Sequence, residues 1–472
     1  MQVNTQIGFK ARVLQKTSDP LRGTPDGAPQ DREMSNMRSR RKSGFTTRLR
    51  ENVRIRRTLN AWSPWSISAV ESQICAAFPN DEVRGLGRVQ ASGGYNLVVR
   101  TLPKNPTNAT VQLVRFTTKR KPLVADYIAA GVAASVICAA EGVPTPVCTG
   151  PYPLVVPGCL PFRAKPRFFS TLPLVTDAKP LFDLWPGATV SFKRAVLQSL
   201  AEGLSGLFNR PFEKMGSPYT TADGKISIGP ICSPYIDKAS RIGRVNKGPY
   251  DTWADYARSL VGAYKLIYRH HCGIVQNLSL LHANISALAA SKGYSATDKF
   301  YLAHPDLHDG NILVDAGSGQ VRAIIDWDGA VTEPLDCVTT YPPYRWHTGG
   351  PDEDKEDDEL LPFFVETLRA RGCSRWADAL DVDQSQPIPE SGASAGRGEP
   401  YDAGVDFARV VEMPLDLHPT SFGRALFFLL KRLHLAGIIP AGSEIAPAAK
   451  RPRGTWVESK VALCKGFFED LF

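Results

Sequence analysis

Hydrophobic and polar positions alternate with changing period along this chain, and the changes divide it into regions. Up to about residue 60 no apolar period is sustained. From Trp62 onward, Ile67, Val70, Ile74 and Phe78 fall on one face of a helix. Alternating apolar residues around Leu97-Val98-Val99 predict a strand, and after the turn-rich Lys104 to Asn108 another is predicted over Val111 to Phe116. The Ala- and Gly-rich run from Ile128 to Ala140 predicts a packed helix and is too short to span a membrane. Helical spacing returns at Val196, Leu197 and Leu200, then over Leu360 to Arg371 and Phe422 to Ala436. Between these lie three apolar runs of strand length, Phe300 to Ala303, Ile312 to Val314 and Val321 to Ile325. The pattern predicts an α+β chain: a small strand-rich lobe followed by a mainly helical one.

The polar residues between those three strands carry the candidate chemistry. The run His304-Pro305-Asp306-Leu307-His308-Asp309-Gly310-Asn311 joins the first strand to the second, and Ile324-Ile325-Asp326-Trp327-Asp328 closes the third. A carboxylate and an amide thus stand at two ends of one loop, and Asp326 ends the neighbouring strand. Asp, Asn and Gly also populate ordinary turns for backbone reasons. The combination of strands, five-residue offset and terminal aspartate favours a metal–phosphate site, because phosphoryl transfer needs a carboxylate near the attacking hydroxyl and hard oxygen ligands for Mg²⁺. The spacing is that of a kinase catalytic loop followed by its metal aspartate. Gly93-Gly94, before Tyr95 and Asn96, would let backbone approach phosphates closely, or serve simply as a turn. His304 and His308 have no third His or Cys at metal spacing and are read as hydrogen-bonding residues that orient the loop. Asp328 either faces solvent or assists a second metal, Trp327 packs, and Asp315 is a turn residue.

The motifs HPDLHDGNILVD and IIDWDGAVTEPLD resemble the aminoglycoside phosphotransferase and choline kinase branch of the protein-kinase-like superfamily, most closely a fungal group of phosphotransferase-domain proteins. Matching pieces run from about Trp62 to about Pro343. The resemblance implies a two-lobed protein-kinase-like fold, with a small antiparallel sheet in the first lobe and a mainly helical second lobe. It implies Asp306 as catalytic base or hydroxyl-positioning residue, Asn311 and Asp326 as Mg²⁺ ligands, and ATP as the nucleotide. Arg115 falls where the family carries its strand lysine, and Ala130 falls near the position of the helix glutamate that normally pairs with it. Asp126 and Glu141 are the candidates to replace that acid. Phe212 to Ser217 with Ile228-Gly229-Pro230 resembles a hairpin of the fungal group.

On this reading residues 1–60 are a basic tail and 61–158 the nucleotide-binding lobe. Residues 159–179, rich in Pro, Phe and basic side chains, form an insertion after a lobe-joining strand and turn at Pro153 to Gly158. Residues 180–472 make the helical lobe, with the catalytic loop at 304–328, an acidic loop over Asp352 to Glu359 and a flexible loop at 384–404.

Charge alters this picture only locally. The net charge of +9 arises in residues 1–60, which hold 14 Lys/Arg against 5 Asp/Glu, while the remaining 412 residues hold 42 of each. That argues for a solvated tail and against a nucleic-acid-binding domain. Nine cysteines without a Cys-x-x-Cys pair read as reduced thiols in a cytoplasmic protein. The expectation is a Mg²⁺-dependent transfer of the ATP γ-phosphate to a hydroxyl of a small molecule, with no nucleic-acid or membrane partner. No Asp-Phe-Gly with a following Ala-Pro-Glu is present, so protein kinase activity is disfavoured. The alternative is a catalytically degenerate kinase-like nucleotide-binding or scaffold protein.

Overall fold

Apolar alternation becomes packing in the first lobe. The computed structural model describes residues 64–78, 83–92, 96–104, 111–117, 124–154, 167–295, 298–338, 351–384, 426–427, 429–431 and 433–447. The basic tail, Gly93-Gly94 and residues 385–404 lie outside the described residues. Helix α1 (Pro64–Ala76) is followed by strands β1 (Val83–Ser92), β2 (Asn96–Pro103) and β3 (Gln112–Thr117), helix α2 (Val124–Ala140), and strands β4 (Thr149–Leu154) and β5 (Arg167–Pro173). The strands make one antiparallel sheet in the order β1-β2-β3-β5-β4. Period-2 burial on β2 turns Leu97, Val99 and Thr101 inward. The helical face read from the sequence supplies the cover, with Val70 and Ile74 fully buried against Leu97, Val99, Val114, Phe116 and Phe169.

The segment expected to be an insertion needs correction. Its residues 167–173 form β5, paired along β3 from Gln112↔Pro173 to Phe116↔Phe169 and along β4 as well. The stretch around Pro153, expected to join the lobes, belongs instead to the edge strand β4. The chain crosses to the second lobe after β5, through residues 174–178. The reason is physical: β5 is buried at Phe169, Ser170 and Thr171, so its residues are spent on sheet pairing and core filling.

The second lobe begins with β6 (Lys179–Pro180), α3 (Leu181–Leu184) and α4 (Val190–Phe208). Thr189 caps α4 by accepting the Phe192 N–H at 3.3 Å. A hairpin follows, β7 (Ser217–Thr220) with β8 (Ile226–Gly229), then α5 (Pro234–Ser240), α6 (Trp253–Ile267) and α7 (Cys272–Ser291). Next come β9 (Phe300–Ala303), β10 (Ile312–Val314), β11 (Val321–Ile324), β12 (Val331–Pro334), α8 (Leu335–Val338), α9 (Pro351–Ala370) and α10 (Ser374–Gln384). The acidic stretch 352–359, read as a loop, is the start of α9. Carboxylates favour a helix N-terminus, where the backbone N–H groups are unpaired, and Pro351 fits its first position.

Helix α2 belongs to both lobes. Its Ala134, Ile137 and Cys138 sit in one core with Leu197, Leu200, Ile312 and Ile324. At its end α4 approaches so closely that a Cβ on Gly206 would lie 2.0 Å from the Glu141 carbonyl oxygen. The site-bearing strands sit between two second-lobe cores, Phe300 and Ala303 in one, Leu302, Ile312, Val314 and Ile324 in the other. Among the described residues no helix is long and apolar enough to cross a membrane.

Phe169 is 1% exposed, with its ring 5.1 Å from Tyr152 and 6.3 Å from Phe116. Phe169→Ala should cost about 3–5 kcal/mol, read as a lower urea midpoint. A loss near zero would return 167–173 to the status of a surface insertion.

Candidate active site

Two loops cross between the same pair of small sheets, and that topology brings the candidate residues together. β9 pairs with β12, whereas β10 pairs with β11 and β6. The chain therefore leaves the first sheet through 304–311 and returns to it through 325–330. The loops are tied where they pass: the Ile325 N–H donates to the Asn311 carbonyl at 2.9 Å, and His304 Nε2 bonds the Ile325 carbonyl at 2.9 Å.

His304 orients the loop, as its spacing suggested. Its Nδ1 accepts the Asp306 N–H at 3.1 Å, so the neutral tautomer carries its proton on Nε2. Its ring lies 4.6 Å from Trp327, which is 4% exposed and donates from Nε1 to the Ile324 carbonyl. Burial pushes the pKa of His304 down to about 4, against the pull of the Ile325 carbonyl and Asp326. His308 lies 3.6 Å from Asp309 and 3.7 Å from Asp306. Hydrogen bonding to Asp309 raises its pKa, with burial opposing and Asp306 adding.

Asp306 itself is open to solvent, its side chain 74% exposed. Desolvation raises its pKa, His308 lowers it and Asp326 raises it. At that exposure water screens these effects, and the carboxylate's position matters more than its shift. Asn311 is buried and donates its Nδ2–H to the Asp306 carbonyl at 2.9 Å. Its amide oxygen is thereby turned to the opposite side. Asp326 has a left-handed backbone, φ 68°, unusual for a side-chain-bearing residue. Such strain persists where surrounding contacts over-determine it, and it clusters at functional sites. Asp315 behaves as a turn residue: the Gly317 and Ser318 N–H groups and the Ser318 hydroxyl bond its carboxylate and hold its pKa down at about 2.

Arg115 enters this site from β3. Its Nε–H donates to Ser170 on β5 at 3.1 Å, its Nη1 pairs with Asp326 at 2.7 Å, and its Nη2 pairs with Asp328. Burial works against its charge, but Asp328 and Asp326 outweigh that and leave its pKa raised. Burial in turn pushes Asp328 up to about 6, against the attraction of Arg115. Asp328 therefore does not face open solvent, and the sequence alone had left its role undecided. The usable signal was the small pair Ala130-Gly131 on α2: a Cβ on Gly131 would fall 2.6 Å from an Asp328 oxygen. The acids considered as replacements lie elsewhere. Glu141 pairs with Arg210 at 2.6 Å, and Asp126 sits beside Asp237 and Cys232, on whose ionisation it acts.

The donors present suit a Mg²⁺–nucleotide. Mg²⁺ in phosphoryl transfer takes one or two carboxylates, with phosphate and water oxygens completing its shell. Asp326 offers the oxygen not bonded to Arg115, and Asn311 offers its freed amide oxygen. A larger concavity of about 630 Å³, bordered by Arg244, Arg258, Lys265 and Arg269, shares none of these residues.

Comparison with known proteins bears on the same segment. Residues 246–337, which include both loops, match the family described as the phosphotransferase enzyme family, in line with the resemblance carried by the catalytic-loop motifs. No curated protein matches the chain. Solved structures similar to it include the streptomycin–ATP ternary complex of APH(2″)-IIa, at 10% identity over 74% of this chain and 92% of that one, TM-score 0.35. APH(3″)-Id from Streptomyces rimosus is 16% identical over 66% and 97%, TM-score 0.36. A microcompartment-associated aminopropanol kinase is 14% identical over 78% and 98%, TM-score 0.36. At these values the residue roles rest on the geometry of this site.

His304 should stay neutral from pH 8 down to about pH 5. Its folded pKa lies below the ordinary 6.5, so its contribution to stability is complete above pH 6.5 and is lost as pH falls toward about 4. Imidazole carbon-bound proton resonances follow this directly, and a His304 midpoint near 6.5 would contradict the packing.

Proposed function

We propose that this chain is a Mg²⁺- and ATP-dependent phosphotransferase that moves the γ-phosphate to a hydroxyl of a small molecule. The observation that carries the reading is the convergence of Asp306, Asn311 and Asp326 on two crossed loops, with the cationic Arg115 bonded to Asp326. This is the residue set that phosphoryl transfer needs, since catalysis there is mainly positioning and charge neutralisation.

Each residue has a part that its surroundings allow. Asp306, open to the cleft and held by its own N–H on His304, orients the acceptor hydroxyl and takes its proton. Asn311 and Asp326 would hold the metal, with the left-handed backbone at Asp326 keeping its carboxylate at the loop crossing. When bound, Mg²⁺ would neutralise charge that develops on the nucleotide phosphates. Arg115 has five N–H donors, of which three are committed to Ser170, Asp326 and Asp328. The other two are available to phosphate oxygens. Gly93-Gly94, which follow β1 in the sequence, would contribute backbone N–H groups to the same phosphates.

The test separates chemistry from binding. Asp306→Asn should lower turnover roughly 10²- to 10⁴-fold and leave ATP affinity within a few-fold. Asp326→Asn should abolish the Mg²⁺-dependent part of ATP binding. ATP consumption across a panel of hydroxyl-bearing small molecules, with calorimetric ATP titrations, measures both. ATP binding without turnover on any acceptor, unchanged by Asp306→Asn, would instead favour a nucleotide-binding protein without catalysis.

A further inference from the structure

The β3 cation of a kinase site ordinarily takes its orientation from an acid on the neighbouring helix. Here α2 offers Ala130 and Gly131 at that place, both buried, and neither can supply a charge. The acid arrives from the other side. Asp328, two residues past Asp326, projects toward α2 where Gly131 leaves room and accepts from Nη2 of Arg115. We propose that Asp328 is the positioning carboxylate of Arg115, replacing the missing helix acid, and that it aims the guanidinium at the nucleotide phosphates. The proposal rests on the nucleotide-binding reading of this site.

Three observations distinguish this role from the others open to Asp328. The Asp328 side chain is 19% exposed against 37% for Asp326, so of the two Asp326 faces the cleft and Asp328 faces the arginine. Its bonded oxygen lies against α2, where an added methyl at Gly131 would collide with it, leaving no space there for a hydrated ion. The narrow space beside these charged groups, about 20 Å³ and bordered by Arg115, Asp326 and Asp328 with Gly131, Cys148 and Trp327, holds a single water at most. The division of labour follows: Asp328 holds Arg115 permanently, and Asp326 shares it while retaining an oxygen for the metal.

The experiment is calorimetric titration of the full chain with ATP, with and without Mg²⁺, for the wild type, Asp328→Asn, Arg115→Met and the double variant. Asp328→Asn keeps the shape and removes the charge. It should weaken ATP binding roughly 10- to 100-fold, the worth of one well-placed charge-assisted hydrogen bond, and it should do so in the absence of Mg²⁺ as well. Because Asp328 acts through Arg115, the double variant should bind ATP no more weakly than Arg115→Met alone. Should Asp328→Asn fail to fold, that second comparison decides, since the double variant removes the buried pair together. Wild-type affinity in a folded Asp328→Asn, a loss seen only with Mg²⁺, or a further loss in the double variant would each overturn the proposal and leave the nucleotide-site reading standing. Absence of ATP binding by the wild type would overturn both.

Discussion

A single buried guanidinium ties the two lobes together. Arg115 belongs to β3, leans on Ser170 of β5 and reaches two carboxylates on the loop that follows β11. A buried cation without partners is expensive, and removing one partner of a buried pair costs roughly 3–5 kcal/mol. The sheet, helix α2 and the loop are therefore constrained to one mutual placement. The left-handed backbone at Asp326 is sustained by the same constraint: the bond to Arg115 fixes the carboxylate, and the Ile325 N–H and carbonyl fix the residue before it. The conformation of Asp326 is thus set by contacts made several elements away.

Around that pair the loops are ordered by small, neutral interactions. His304 uses both ring nitrogens, one toward each loop, and its burial keeps it uncharged. Asn311 uses an amide N–H on the Asp306 carbonyl, which turns its amide oxygen away from that carbonyl. A surface of exposed oxygens results from the way each polar group disposes of its other half. The charged residues then meet with one cation for two carboxylates, an imbalance suited to a divalent ion.

What could be read from the sequence was what short-range patterns encode. The strands flanking 304–311 and ending at 326 are brief apolar runs with fixed offsets, so Asp306, Asn311 and Asp326 could be placed near one another before any coordinates. The helical face of Val70 and Ile74 and the strand bearing Arg115 are legible for the same reason, whereas the hairpin beyond Phe212 rests on the family resemblance. Strand β5 is not legible. Its partner β3 lies 55 residues earlier at Arg115↔Ser170, and its Pro- and Arg-bearing neighbours obscure the apolar centre. Asp328 was undecided because facing Arg115 depends on the left-handed turn at Asp326, and no hydrophobic period announces a left-handed aspartate. The acidic stretch before Leu360 was misread because a helix N-terminus and a solvated loop favour the same charges.

The anchoring of α2 has a consequence for regulation. In kinase-like folds the helix beside the β3 cation is an obvious moving part, because shifting it separates the ion pair. Here that helix carries no member of the pair, and its Ala134, Ile137 and Cys138 are set into the second lobe's own core. Swinging it outward would open that core while leaving Arg115 and Asp328 still in contact. In a chain built this way the bonds from Arg115 to Asp326 and Asp328 do not depend on the position of the helix.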